Sequence, residues 1–148
     1  MLRSKLLHPD ILAALGRAGH GSQILIADGN YPFATKLGVN ATLVSLNLMP
    51  GLVSCTQALE AIVSAVPIEG AAVMQPMQTG PNAFKGEPPI WDEFRRILKD
   101  AAVDVDLELI ERFKFYEAAG TDDVALTIAT AEQAVYGNLL LTIGVFKP

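Results

Sequence analysis

In "RAGHGSQILIADGNYP", residues 17–32, His20 stands between Gly19 and Gly21, and it is one of only two histidines in the chain. No aromatic or β-branched side chain adjoins it, so a ligand can approach both its ring and its backbone. Imidazole titrates near neutrality and can give or take a proton at cellular pH. Asp28 closes the apolar run that follows and leads into the turn "GNYP". Ligands gather at the carboxyl ends of strands in α/β sheets, although an Asx turn with Gly29 or Asn30 would use the same side chain. Two later stretches add polar groups. "ERFKFYE" (111–117) interleaves Arg112 and Tyr116 with Phe113 and Phe115, and "VYGNLLL" (135–141) opens with Tyr136, Gly137 and Asn138. A hydroxyl, an open backbone amide and a carboxamide form a good hydrogen-bonding set for a polyol. Structural readings compete for both stretches: the aromatics as core, Arg112 paired with a carboxylate, and a plain turn before a strand.

Other chemistries lack their signatures. "GRAGHG" spaces its glycines as G-x-x-G-x-G, which is not the dinucleotide fingerprint, and no phosphate-loop lysine pattern occurs. His8, His20 and Cys55 are too dispersed for a zinc site. There is no G-x-S-x-G elbow, and Cys55 falls in an apolar helical stripe with no histidine beside it. What remains is acid–base chemistry without metal or cofactor, or binding alone.

The elements that must hold these residues alternate along the chain. "HPDILAALGRAG" predicts a first helix, with Pro9 in its first turn and Asp10 at its positive end. "QILIAD" reads as a buried strand and "TLVSLNL" (42–48) as a second. "GLVSCTQALEAIVSAVP" turns helical, "AAVMQP" is a third short strand, and "MQTGPNAFKGEPP" is a turn-rich loop. "IWDEFRRILKDAA" is the clearest helix, with Trp91, Phe94, Ile97 and Leu98 on its inner face. "DLELIERF" is expected as a strand, "KFYEAAG" as a helical turn, and "DVALTIATA" and "NLLLTIGVF" as the closing strands. The alternation predicts an α/β class with a mostly parallel or mixed sheet flanked by helices.

A chain of 148 residues has room for one domain, and residues 1–148 are read as one. Hydrophobic residues make up 51% and mean hydropathy is +0.33, so extra burial between subunits is expected, as in a homo-oligomer. The net charge of −5 and the scattering of 11 Lys and Arg argue against a nucleic-acid partner. A single cysteine permits no internal disulfide and fits a reducing compartment. The amino terminus imitates a signal peptide until His8, Pro9 and Asp10 interrupt it. No apolar run reaches the length of a membrane span, so a cytoplasmic protein is expected, with no membrane contact.

Taken together, "GHG" with "ILIADGNYP", then "PPIW", "ERFKFYE" and "YGNLLLTIGV", in that order from about residue 5 to the end, resembles the fucose mutarotase/ribose pyranase (RbsD/FucU) family. "RFKFYE" and "PIW" match the fucose mutarotase branch better than the ribose branch. The resemblance implies an RbsD-like α/β fold, no cofactor, and ring-like or smaller homo-oligomers with sites at subunit contacts. It implies His20 as the catalytic acid, with Asp28, Arg112, Tyr116, Tyr136, Gly137 and Asn138 around a monosaccharide. Tyr116 and Glu69 are the candidates to take the second proton. Glu69, in "VPIEG", falls near an aspartate of fucose-type members. The chain departs from the pattern at Ser22, where an acidic residue is common. It departs also at "LNLMPG" (46–51), where a shorter segment is expected, and at "AAGTDD" (118–123), two residues longer. The implied function is interconversion of α and β anomers of L-fucose or a related free sugar. A D-ribose pyranase and a non-catalytic sugar-binding protein are the alternatives. His20 and Asp28 are separated by roughly 26 Å if the chain between them is extended, too far for one monosaccharide to touch both. A pocket completed by a neighbouring chain is therefore expected, with "VYGN" as the contributing segment.

Overall fold

The computed structural model describes residues 1–81 and 83–147; Asn82, in the loop expected over 77–89, and Pro148 lie outside the described residues. The elements in chain order are α1 (Pro9–Arg17), β1 (Gln23–Ala27), β2 (Thr42–Ser45), α2 (Cys55–Val63), β3 (Ile68–Met74), α3 (Ile90–Asp100), β4 (Leu107–Ile110), α4 (Arg112–Ala118), β5 (Val124–Ala129) and β6 (Leu139–Ile143). All six strands join one sheet in the order β2-β5-β1-β6-β3-β4. β2, β5 and β1 run parallel to one another, as do β3 and β4. β6 lies antiparallel between β1 and β3. The sheet is mixed, and its reversed strand sits near the middle rather than at an edge.

Strand alternation sorts the core into two layers. Ile24, Ile26, Leu126, Ile128, Leu139 and Leu141 face one side, where they pack with residues of α1, α2 and α3. Leu25, Ala27, Ala72, Met74 and Leu140 face the other, where Phe115 and Ala119 and the ring of Tyr31 cover them. The inner face expected for α3 is observed: Trp91, Phe94, Ile97 and Leu98 are buried. α1 carries Pro at its first turn as expected.

Several boundaries differ from the sequence reading. α2 begins at Cys55 rather than near residue 51, because Ser54 and Gln57 form a reciprocal capping box, each side chain accepting from the other's backbone N–H. Residues 46–53 instead form a tight hairpin in which Met49 bridges Leu52. β3 starts earlier than expected, at Ile68. The largest correction concerns "DLELIERF": the strand stops at Ile110, and Arg112 and Phe113 begin a helix. The Glu111 carboxylate accepts the N–H groups of Phe113 and Lys114 at 2.9 and 3.1 Å, which satisfies the first free donors of α4 and turns the chain.

Candidate functional site

β1, β3 and β4 point their carboxyl ends to one side of the molecule, and β6 starts there. Asp28 follows directly on β1 and is buried. Its backbone N–H donates to Asn138 Oδ1 at 2.9 Å, and Asn138 Nδ2 donates back to Asp28 Oδ2 at 2.9 Å. Oδ2 also accepts the Gly137 N–H at 3.1 Å, while Oδ1 accepts that of Asn30 at 2.9 Å in an Asx turn. Asp28 therefore builds the Asx turn and also lies on the wall of a cavity. Burial pushes its carboxyl above the ordinary carboxylate range. The N–H groups of Asn30 and Gly137 pull the other way, and the nearby Glu132 adds to the rise. With these donors fixed on it, Asp28 acts as a clamp joining β1 to the turn before β6.

That turn has little freedom. A Cβ on Gly137 would lie 3.0 Å from the Ala134 carbonyl oxygen and 3.4 Å from Asp28 Cβ, so any larger residue would have to push these neighbours aside by a few tenths of an ångström. Tyr136 takes a left-handed conformation (φ 58°), uncommon for a side-chain-bearing residue. Its carbonyl accepts from the Trp91 indole Nε1 at 3.1 Å, and its hydroxyl accepts from the Met77 N–H at 3.1 Å. The Phe84 ring stands edge-on to it at 6.1 Å.

α4 supplies the facing wall. Arg112 and Tyr116 lie one turn apart on it and so share a face. The guanidinium carbon is 6.0 Å from the Tyr116 ring centroid, and Nη1 contacts Met77 Sδ at 3.0 Å. Among the described residues no carboxylate is in ion-pair reach of Arg112. The Tyr116 ring is tilted against Tyr31 at 5.7 Å. Asp28, Arg112, Tyr116, Tyr136 and Asn138 thus converge on one open cavity of about 560 Å³, which Met74 and Phe84 line on an apolar side. This size lies within the ~300–1,000 Å³ range of small-molecule clefts.

His20 and Glu69 are elsewhere. The Gly21 N–H donates to the Ile143 carbonyl at the far end of β6 and of the sheet, with Gly21 at φ +82°. Next to this turn, His20 Nε2 is 2.8 Å from Glu69 Oε1, and the two side chains are 58% and 44% exposed. Five of the expected residues therefore line one cavity and Gly137 shapes its turn, while the expected acid and its carboxylate form a separate exposed pair. Within one chain they do not meet. Among the described residues no group of three or more His, Cys, Asp or Glu comes close enough to hold a metal ion. Nor is any described helix long and apolar enough to cross a membrane.

The sequence reading missed Met77, Phe84 and Trp91 as parts of the site. Met77 and Phe84 lie in the Gly/Pro-rich loop, where no periodicity marks which side chains turn inward. Trp91 is core, as read, but its indole N–H also has to find an acceptor once buried, and that requirement points to a turn beside it.

Comparison with known proteins bears on the same surfaces. The model of the RbsD / FucU transport protein family matches residues 1–146. Fucose mutarotase of Danio rerio is 34% identical over 150 residues, covering 97% of this chain and 92% of the relative. Fucose mutarotase of Homo sapiens is 35% identical, covering 95% and 90%. The fucose mutarotase of Streptococcus pneumoniae, solved in complex with L-fucose, superimposes with a TM-score of 0.78 at 26% identity, covering 95% of this chain and 94% of the other.

Proposed function

This chain belongs to the RbsD/FucU family, on the side of the fucose mutarotases, and from that premise we propose that it is an isomerase interconverting the anomers of L-fucose or a close relative. The observation that carries the reading is the division of labour between the two ends of the sheet. One end offers a cavity lined by a guanidinium outside ion-pair reach of any described carboxylate, three phenols and two carboxamides, suited to a polyol. The other offers an exposed imidazole–carboxylate pair with no cavity residue beside it.

The reaction needs a cavity and a proton-transfer pair at once. As the C1–O5 bond of the sugar breaks, O5 takes a proton and the anomeric hydroxyl gives one up, leaving the open-chain aldehyde. C1 then turns, and the same transfers in reverse close the ring on the other face. A second copy of the chain brings its His20 and Glu69 over the cavity of the first. Glu69 Oε1 accepts from Nε2–H, so His20 gives a proton to O5 from Nδ1 as the imidazolium and is left as the neutral ring with Nε2–H still on Glu69. The second carboxylate oxygen receives the proton from the anomeric hydroxyl. A neutral phenol both donates and accepts, so Tyr116 relays that proton, taking one from the sugar hydroxyl as it passes its own to the carboxylate. Arg112, Tyr136 and Asn138 hold the remaining hydroxyls, and Asp28 and Gly137 hold the turn. Minutes to hours for the uncatalysed change correspond to a barrier of about 20–23 kcal/mol. General acid–base help of ~10²–10⁴-fold is enough to matter in metabolism and requires no cofactor.

Anomer exchange measured by saturation-transfer NMR across free sugars, with L-fucose and D-ribose among them, tests the proposal. Faster exchange of L-fucose is expected. If no free aldose exchanges faster than in buffer, the chain is a binder and not a mutarotase.

A further inference from the structure

Beside the sugar cavity lies a second one of about 430 Å³, at the carboxyl ends of β1, β5 and β2. Asn30 lines both cavities, so they meet along one edge. Asn47 and Gln133 supply carboxamides to the second cavity, and among the described residues no hydrogen bond engages either of them. Glu132 closes its floor. Its carboxylate is held in place by the N–H groups of Cys55 at 3.2 Å and Ala134 at 2.9 Å. The outer wall, Asn47, Met49 and Pro50, belongs to the "LNLMPG" stretch. That hairpin is firmly seated: Gly51 N–H donates to Ala131 O at 2.7 Å, and Ala131 N–H donates to Val53 O at 2.9 Å. A polar recess pinned by these hydrogen bonds, and sharing Asn30 with the sugar cavity, extends the site.

We propose that the second cavity is a subsite for another sugar unit, so that the protein accepts reducing disaccharides as well as free monosaccharides. The reducing-end residue occupies the first cavity, where ring opening needs only its O5 and anomeric hydroxyl. The glycosidic substituent leaves past Asn30, and its hydroxyls meet the carboxamides of Asn47 and Gln133. Amides that both donate and accept match vicinal hydroxyls, and Met49 offers an apolar contact for a ring face. No bond of the glycoside itself is made or broken. The proposal rests on the mutarotase reading above for its turnover, although the binding it requires is independent of turnover.

Three disaccharides with reducing-end L-fucose, glycosylated at O2, O3 or O4, are the probes, with free L-fucose beside them. At least one linkage is expected to undergo accelerated anomer exchange. The Asn47→Ala/Gln133→Ala double variant should raise its KM about tenfold, through two lost hydrogen bonds, and leave L-fucose unchanged. Exchange of L-fucose with none of the three disaccharides overturns the subsite, as does a double variant that slows both kinds of substrate alike. If L-fucose itself is not exchanged, the mutarotase reading has failed. Saturation transfer from the protein to the non-reducing residue then decides the subsite. Transfer that the double variant abolishes supports it, and absence of transfer in the unaltered protein refutes it.

Discussion

Two inactive variants of this chain should rescue each other. His20→Ala removes the exposed imidazole, whose neighbours are Gly19 and Gly21 and whose side chain is 58% exposed, so folding stability should move by no more than ~0.5 kcal/mol. Exchange should fall by ~10²–10⁴-fold, the usual contribution of a general acid. Arg112→Ala leaves His20 and Glu69 untouched at the far end of the sheet but strips the cavity of the one lining cation among the described residues. If a site takes its cavity from one copy and its imidazole from the next, a mixed assembly regains sites wherever a His20→Ala subunit receives the loop of an Arg112→Ala subunit. For equal amounts and random order, each of the two positions is filled suitably half the time, so about one quarter of the sites become complete. The variants are co-expressed with different tags, purified through both, and assayed by anomer-exchange NMR against each variant alone. Recovery near a quarter of the unaltered rate is expected. Activity equal to the mean of the two variants would refute the shared site.

Trp91→Phe keeps the ring in the core but leaves the Tyr136 carbonyl without its indole donor. A loss of ~1–3 kcal/mol in urea unfolding is expected, with KM for the sugar raised more than kcat is lowered; unchanged KM would leave Trp91 a packing residue only. The raised pKa of Asp28 means that the folded state holds its proton more tightly than the unfolded chain does, so its ionisation costs stability. Stability from this group is full below the unfolded value of 3.8 and is lost as pH rises through the higher folded value. Relative to Asp28→Asn, which starts lower through its altered hydrogen bonds, the unaltered protein should lose ground as pH climbs from about that point toward neutrality; a difference that widens in the opposite direction would contradict the assigned shift. Finally, exchange should survive exhaustive dialysis against a chelator, and loss restored by a divalent ion would require a metal that the residues described here do not suggest.

Where the chain's patterns are periodic, they could be read. The apolar run of β1 and the inner face of α3 are visible in the letters because burial imposes periods near 2 and 3.6. "DLELIERF", expected as a strand to its end, departs at Arg112 for the same reason. Its alternation imitates a strand, while Glu111, as a helix cap, acts through a backbone contact that carries no period. The consequence is visible at Phe113, left 65% exposed, and at Phe115, wholly buried, on what is a helix and not a strand. For the site, polar residues at the ends of apolar runs were legible: Asp28, Asn138 and Tyr136 all sit where a strand meets a turn. The roles of Met77 and Phe84 depend on how a loop of thirteen residues folds back over the sheet, which local sequence does not dictate. The separation of His20 from Asp28 was legible as distance alone, since one strand of extended chain stands between them.

That separation also governs arithmetic at the level of the assembly. If the site is shared between copies as proposed and subunits meet end to end, each contact is head-to-tail, in which the two touching surfaces differ. An open row of such subunits always wastes a cavity at one tip and an imidazole at the other, so a pair related in this way completes one site for two chains. In such a row closure into a ring lets every chain work, whereas a two-fold pair lying side by side and antiparallel would complete both of its sites at once. For an end-to-end assembly, specific activity per chain should therefore step upward when the ring shuts. With a site shared in either way, a defect at the loop around His20 would silence a neighbour's cavity rather than its own, so damage in one copy would be felt next door.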